Sequence, residues 1–391
     1  MSELKVLMMG GRRCGKTSAL ASMFDCMQHG STTDYFTVSD QTILEIKNGE
    51  TQDSLDGKIS ELKDMLGKAN TKTFLVDAGP TNNYWYYNLQ LQIPGTQKRM
   101  NMKFRDSAGE FFEAGGRHTE ETNQYVSQCD VFIIIVDTPY LMGTTDESTK
   151  DICTEGINLG TNRINDIHNF LTHIDDHNGE DSKMVVFVPL KCEKWVKEGR
   201  ITEVNNRIKD VYSHTIKALD RFAKMTIAII PIETAGNIIF EEFKDAYTYK
   251  GKIGPLRKCC LISDNMIRLS NGDPKKIKEG DIVNEDDNAT IAGTNLMRPY
   301  SWYRINPNDS SYAPTNCEQL PLHILKFHLG KTIDIQMSKV QSMGWFTKLW
   351  KRLTGAFGSI DPKEYQQIQG KMIQDGVINE DNGIEYIKRC Y

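Results

Sequence analysis

Residues 5–27 constrain this chain's fold more than any other stretch. An unbroken apolar run, Lys5-Val6-Leu7-Met8-Met9, ends at Gly10. Gly10-Gly11-Arg12-Arg13-Cys14-Gly15-Lys16-Thr17 follows, and from Thr17 to Met27 the residues Leu20, Met23, Phe24 and Met27 share one helical face. A short run apolar on both faces reads as a strand buried in a parallel sheet. Gly-x-x-x-x-Gly-Lys-Thr between such a strand and a helix has the make-up of a phosphate cradle. Gly10 and Gly15 clear side-chain bulk where successive N–H groups curl around an anion. Lys16 brings a point charge to the β- and γ-phosphates, and the Thr17 hydroxyl is a magnesium ligand. The helix that begins at Thr17-Ser18 adds its positive N-terminal end. Arg12, Arg13, Cys14 and Ser18 complete the set expected to contact phosphate.

The rest of the chain supplies the sheet that such a cradle needs. Trp85 to Ile93 and Arg99 to Arg105, joined by Pro94-Gly95-Thr96, predict a hairpin. Val131 to Val136 is the strongest buried-strand signal. A helix from about Gly156 to Ile174, a strand from Met184 to Val188, a helix from Thr202 to Ala223 and a strand from Thr226 to Ile232 follow. Strands alternating with helices predict an α/β, doubly wound, mainly parallel sheet. An insertion at about 38–75 is expected to be helical, with Leu55, Ile59, Leu62 and Leu66 on one face. Residues 245–315, rich in Gly, Asn, Asp, Lys and Pro, read as an irregular excursion with strand-like pieces at Lys258 to Ile262 and Ile291 to Ala292. Pro321 to Leu329 reads as a helix returning to the core. The expected division is a nucleotide-binding domain over 1–335 and a C-terminal accessory tail over 336–391.

Three further segments carry chemistry. Asp106-Ser107-Ala108-Gly109-Glu110 ends a strand, where a carboxylate can hold magnesium through water and Gly109 can turn its N–H to a γ-phosphate. Lys191-Cys192-Glu193 follows another strand. Lys191 can lay its alkyl stem on a purine face. Glu193 can accept from guanine's N1–H and 2-amino group, a pair of donors that adenine lacks. Ile232-Glu233-Thr234-Ala235-Gly236 ends a third strand, where the backbone at Thr234 and Ala235 can meet the base. All lie at carboxyl ends of strands, where open parallel sheets bind ligands.

In that order the segments resemble the Ras-like GTPases, whose corresponding motifs read Asp-x-Ala-Gly-Gln, Asn/Thr-Lys-x-Asp and Ser-Ala-Lys. Here Glu110 replaces the water-orienting Gln, Leu190 the Asn or Thr, Glu193 the Asp, and Gly236 the Lys. A carboxylate at 110 can help only as a base or by holding water. The resemblance also implies a magnesium-binding switch threonine before the hairpin, for which Thr81 is the first choice and Thr32 and Thr33 are rivals. The family usually has glycine at the third cradle position, so Arg12 and Arg13 either neutralise phosphate in cis or point to solvent. Gly10 to Ser18, Asp106 to Glu110, Val188-Pro189-Leu190-Lys191-Cys192-Glu193-Lys194 with Gly199-Arg200, and Tyr312 to Gln319 together resemble the bacterial double-GTPase (DO-GTPase) group of the TRAFAC clade. That resemblance implies GTP or GDP with Mg2+ as cofactors. It implies slow hydrolysis catalysed by Lys16, Gly109, Glu110 and Arg13, and gating of a protein effector or activator in a conflict or defence system. An ATPase or small-molecule kinase, and a nucleotide-bound scaffold that does not hydrolyse, are the alternatives.

Composition narrows the partners. Over 391 residues the net charge is −5, which gives no general pull towards nucleic acid. Nine cysteines without a Cys-x-x-Cys, and no apolar run of spanning length, point to a reducing cytoplasm. Trp345, Phe346, Leu349, Trp350 and Leu353, with Lys348, Lys351 and Arg352 elsewhere on the wheel, form an amphipathic stretch. It can pack on its own domain, or dock on a partner or a membrane through 345–357.

Overall fold

The computed structural model describes residues 3–11, 14–47, 49–68, 83–92, 99–107, 125–147, 149–150, 152–172, 182–249, 252–255, 294–305, 311–342, 367, 370–379 and 382–390. In chain order its elements are β1 (Glu3–Gly10), α1 (Lys16–His29), β2 (Thr37–Asp40), β3 (Ile46–Lys47), β4 (Glu50–Thr51), α2 (Leu55–Lys68), β5 (Trp85–Gln92), β6 (Arg99–Asp106), β7 (Val131–Asp137), α3 (Thr138–Gly143), α4 (Glu155–Thr161) and α5 (Ile164–Leu171). Then come β8 (Lys183–Leu190), α6 (Glu193–Lys197), α7 (Ile201–Val211), α8 (Ser213–Asp220), β9 (Met225–Ile229), β10 (Ile238–Tyr249), β11 (Lys252–Pro255), β12 (Thr294–Ile305), α9 (Gln319–Ser342) and β13 (Glu385–Lys388).

An eight-stranded sheet runs β13-β9-β8-β7-β1-β6-β5-β2. From β9 to β6 neighbouring strands are parallel, whereas β13, β5 and β2 each pair antiparallel. Burial follows that topology. Every residue of β7 and β8 is buried, as helices on both sheet faces require. The outer strand β5 instead alternates: Trp85, Tyr87, Leu89 and Leu91 are buried and the residues between them half-buried. Each large aliphatic side chain fully removed from water in the central strands contributes about 1.5–3 kcal/mol. This is the expected doubly wound α/β fold, and the expected hairpin is β5–β6.

The structure corrects several sequence expectations. The insertion at 38–75 is not helical from its start: Thr37–Asp40 is a strand pairing with β5, a small β3–β4 pair follows, and the helix begins at Leu55. β-branched Thr37 and Val38 find an open sheet edge, and Ile43, Leu44 and Ile46 are exposed. The helix expected over 156–174 is two, broken at Asn162 and Arg163, where φ is 52°. That over 202–223 is also two, broken at Tyr212. The 245–315 excursion contains a regular antiparallel pair, β10 with β12, and β11 on the far side of β10. The pieces at 258–262 and 291–292 lie outside the described residues, as do Trp345 to Phe357. Finally, the boundary expected at 335/336 falls inside α9, and the chain's last strand, β13, pairs with β9 in the main sheet.

The same end of the chain is tied to the cradle helix region. Tyr35 donates to Asp375, and the Gln319 side chain donates to the Val377 carbonyl at 2.8 Å and accepts from the Asn379 N–H at 3.0 Å. Residues 375–379 and 382–390 are thus tied to the body that carries the main sheet.

Candidate functional site

The carboxyl ends of β6, β1, β7, β8 and β9 lie side by side, so loops far apart in sequence meet at one edge. At the end of β1 the backbone enters the cradle through Gly10. Gly15 caps α1 with φ 99°, in the left-handed region that a side chain disfavours. Lys16 is buried, and its ammonium donates to the Gly11 carbonyl at 2.9 Å and the Gly10 carbonyl at 3.4 Å. The charge is therefore held against the cradle's own backbone. Cys14 is buried with its thiol pKa raised by burial, which makes it a packing group. Ser18 is also buried.

Thr17 and Asp106 meet across 89 residues: the hydroxyl donates to Asp106 Oδ2 at 2.5 Å. Asp106 is fully buried, and among the described residues its Oδ1 has no hydrogen-bond partner. Burial raises its pKa, opposed by Lys16, by the Thr17 hydrogen bond and by Lys58. A hydroxyl beside an incompletely satisfied buried carboxylate fits a hydrated divalent cation that completes its shell with water and phosphate. Among the described residues no cluster of three His, Cys, Asp or Glu could hold a metal alone. Thr32 and Thr33, the rival switch threonines, cap local backbone at the Met27 and Gly30 carbonyls. Thr81, Arg12, Arg13, Gly109 and Glu110 lie outside the described residues.

On the far side of β1, Leu190 at the end of β8 is buried, and its Cδ1 would stand 3.3 Å from a Cβ placed on Gly15. The chain's variant residue there is an apolar filler beneath the cradle. Lys191 takes φ 58° and donates to Asp137 Oδ2 at 2.5 Å. Glu193 begins α6, and Glu233 lies beyond β9. Glu193 is 3 % exposed and Glu233 6 %. Burial, then repulsion from Glu233, pushes Glu193 up to about 8, and burial pushes Glu233 up to about 7. The Thr234 carbonyl accepts from the Ser22 hydroxyl of α1 at 2.8 Å, and Ala235 is buried.

The match to known families decides what this edge is. The Double-GTPase 2 family matches residues 6–238, more than half of the chain, and covers the cradle, the Asp106 strand, the Lys191–Glu193 turn and the 232–236 loop. The chain belongs to the Double-GTPase 2 family. This double-GTPase is thereby a GTP-binding protein of the P-loop class. Among solved structures it is similar to the Saccharomyces cerevisiae Ski7 GTPase-like domain. It has 10% identity to that domain bound to GDP and inorganic phosphate and 9% bound to GTP, with TM-scores of 0.29 and 0.30; 78% of this chain and 71% of that one are covered in each case. It is also similar to Methanosarcina barkeri Roco2 RocCORdC bound to GDP, at 14% identity and TM-score 0.27, covering 60% of this chain and 44% of that one. A search of curated proteins finds no match. No helix among the described residues is long and apolar enough to cross a membrane.

One part of this edge escaped the sequence reading, and another, the Tyr312 to Gln319 segment, carried the family resemblance without its place being foreseen. The first is a buried polar knot under Lys191. Asn162 accepts from the Asp137 N–H at 2.7 Å, and donates to the Asp137 carbonyl at 3.3 Å and to Asn158 Oδ1 at 2.9 Å. Its signal was a carboxylate closing the most apolar strand in the chain. The other is the strap 311–318 over the 232–236 loop. Glu233 and Thr315 exchange backbone hydrogen bonds at 2.9 Å, the Ala313 N–H donates to the Ala235 carbonyl at 3.2 Å, and the Tyr312 hydroxyl donates to Ser22 at 3.2 Å. Gly236 has φ 76°, and a Cβ there would stand 1.8 Å from the Ala313 carbonyl oxygen. That contact excludes the lysine of the Ras-like pattern.

Proposed function

We propose that this double-GTPase is a slow GTP-hydrolysing switch that gates a partner protein. The reading rests on one observation: four motif loops scattered from residue 10 to residue 236 follow the carboxyl ends of β1, β6, β8 and β9, strands that lie side by side in one sheet with only β7 between them. Lys16, held by the Gly10 and Gly11 carbonyls, turns to the β- and γ-phosphates when they arrive, exchanging weak neutral acceptors for charged ones. Thr17 and Asp106 would hold the magnesium ion, which when bound neutralises charge on the β- and γ-phosphate oxygens. Gly109 offers its N–H to the γ-phosphate, and Glu110 holds or deprotonates the attacking water. Arg12 and Arg13 add positive charge within the loop, and Thr81 is the switch threonine that senses the γ-phosphate.

Lys191, oriented by Asp137, packs its stem on the purine. Glu193 accepts from guanine's two donors, and the Thr234-Ala235 backbone meets the carbonyl of the base. A carboxylate at this position favours guanine over adenine, since adenine would leave it one donor short. Catalysis is positioning plus charge stabilisation, and without Gln at 110 turnover is slow until a partner completes the site.

Labelled GDP, GTP and ATP binding with magnesium tests this reading. Glu193→Ala is expected to weaken guanine nucleotides by about tenfold relative to ATP, Lys191→Ala to weaken any purine nucleotide that the site holds, and phosphate release is expected over hours. Preferential ATP binding by the unmutated chain would overturn the base assignment, and no phosphate release in a day would make the protein a scaffold.

A further inference from the structure

Three of the six large apolar side chains that stand exposed among the described residues fall within four positions: Ile43 is 83 % exposed, Leu44 49 % and Ile46 75 %. They belong to an arm, residues 41–53, that leaves the sheet after β2 and folds into the β3–β4 pair. Apolar side chains scattered singly over a surface are ordinary, whereas a concentration of them marks an interaction site. Among the described residues β2 is also the last strand in the sheet order, so its outer edge is open beside the arm.

The arm is bolted to the start of β5. Asn83 donates to the Lys47 carbonyl at 3.3 Å and to Glu50 Oε2 at 2.6 Å, and the Lys47 ammonium donates to the Tyr84 carbonyl at 3.1 Å. Gln52 donates to the Tyr86 carbonyl at 2.8 Å, and the Tyr87 hydroxyl donates to the Asp53 carbonyl at 3.2 Å. Trp85 and Tyr86 are in turn the β5 partners of Asp106 and Arg105. The Tyr84 ring receives Lys47 from the arm at 4.0 Å and Arg105 from β6 at 4.4 Å. A single layer of residues, 83 to 87, therefore joins the arm to the strand end that carries Asp106.

Charge selects what the arm can hold. Residues 40–56 carry Asp40, Glu45, Glu50, Asp53 and Asp56 against one base, Lys47. Lys47 is drawn to Glu45 at 2.7 Å and to Tyr84, and the nearby Lys103 stands 4.7 Å from the Tyr86 ring. Apolar side chains interleaved with carboxylates are repelled by anionic lipid headgroups and attract lysine and arginine. We propose that the 41–53 arm is a docking surface for a protein segment that carries bulky apolar residues flanked by lysine or arginine, and that docking there is coupled to the nucleotide site through residues 83 to 87. The partner's apolar side chains cover Ile43, Leu44 and Ile46, and its cations meet Glu45, Asp53 and Asp56. The coupling rests on the switch reading above, whereas the docking rests on the arm's own exposure and charge. By linkage, whichever nucleotide state favours the partner is itself favoured by the partner to the same extent.

The probe is a fluorescent helical peptide about five turns long, leucine on one face and lysine on the other, titrated with full-length protein and followed by anisotropy. The lysine peptide is expected to bind, and a counterpart with glutamate in place of lysine to bind about tenfold more weakly or worse. Ile43→Ser combined with Ile46→Ser alters exposed side chains alone, so thermal unfolding should be unchanged while peptide affinity falls by about tenfold. Affinity should differ between protein loaded with GDP and protein loaded with a non-hydrolysable GTP analogue, and Asn83→Ala should shrink that difference while the peptide still binds. Equal affinity of the double variant and the unmutated chain, or of the two peptides, would overturn the docking surface whatever the nucleotide dependence. Recruitment of the unmutated chain to phosphatidylcholine vesicles, lost in the double variant, would overturn it in favour of a membrane. If the double variant loses the peptide but the unmutated chain binds it equally in both nucleotide states, the docking surface stands and the coupling falls. If neither nucleotide binds, the switch reading fails, and the double variant still decides the docking surface.

Discussion

Gly236→Ala isolates the contact that shapes the 232–236 loop. Gly236 and Gly376 have nearly the same backbone, φ 76° and 71°, but a Cβ on Gly236 would stand 1.8 Å from the Ala313 carbonyl oxygen while one on Gly376 would meet nothing within 4 Å. Holding an L residue in the left-handed region costs about 1–2 kcal/mol at either site. At Gly236 the carbonyl must also move by more than an ångström to reach ordinary van der Waals separation. That displaces the strap and with it the Ala313 to Ala235 hydrogen bond and the Glu233–Thr315 pair. Each net hydrogen bond lost costs about 1 kcal/mol. Gly376→Ala should therefore cost about 1–2 kcal/mol and Gly236→Ala, with three hydrogen bonds displaced as well, about 4–5 kcal/mol. Urea unfolding of the nucleotide-free protein measures both. Gly236→Ala should also weaken GDP binding, because Ala235 moves with the strap, and Gly376→Ala should not. Equal destabilisation by the two substitutions would refute the steric argument.

Other outcomes follow from the buried groups. Glu193 and Glu233 have folded pKa values above the ordinary carboxylate value. The unfolded chain therefore releases their protons first, and stability present below about pH 4.5 is lost as pH rises towards 8. Chemical denaturation of nucleotide-free protein should show greater stability at pH 5.5 than at pH 8, with a smaller difference in Glu193→Gln. Asn162→Ala should cost about 2–4 kcal/mol by thermal unfolding, since it strips partners from the fully buried Asp137 backbone and from Asn158. Asp106→Asn should raise the stability of the nucleotide-free protein at neutral pH, because burial disfavours its charge. The same variant should lose the magnesium-dependent part of GTP affinity, measured with and without chelator.

Much of the fold was legible because it depends on local chemistry. Burial on both faces makes a central parallel strand uniformly apolar, so Val131 to Val136 and Met184 to Val188 identify themselves, and the β5–β6 hairpin is bounded by its own turn residues. Where a residue answers to something distant, the sequence misled. Thr37–Asp40 became a strand because β5 offered an edge, and the 156–174 helix broke because Asn162 turns to the end of β7. β10 and β12 pair across an excursion that read as irregular, with only short strand-like pieces placed elsewhere in it.

The sequence by itself determined the ligand. Phosphate binding needs glycines, a lysine and a threonine at fixed short spacings between a strand and a helix, and residues 10 to 17 carry all of that locally. It also determined the order of the remaining motifs, because each sits where a strand ends. Only the tertiary structure decided how they act together. Thr17 meets Asp106 across 89 residues, Lys191 is held by Asp137, and a strap more than seventy residues downstream requires glycine at 236 and pairs its backbone with Glu233. Those contacts are set by which strands become neighbours and by what is excluded from water between them. No spacing along the chain records either, so the burial of Glu193 and Glu233 emerges only when the chain has folded.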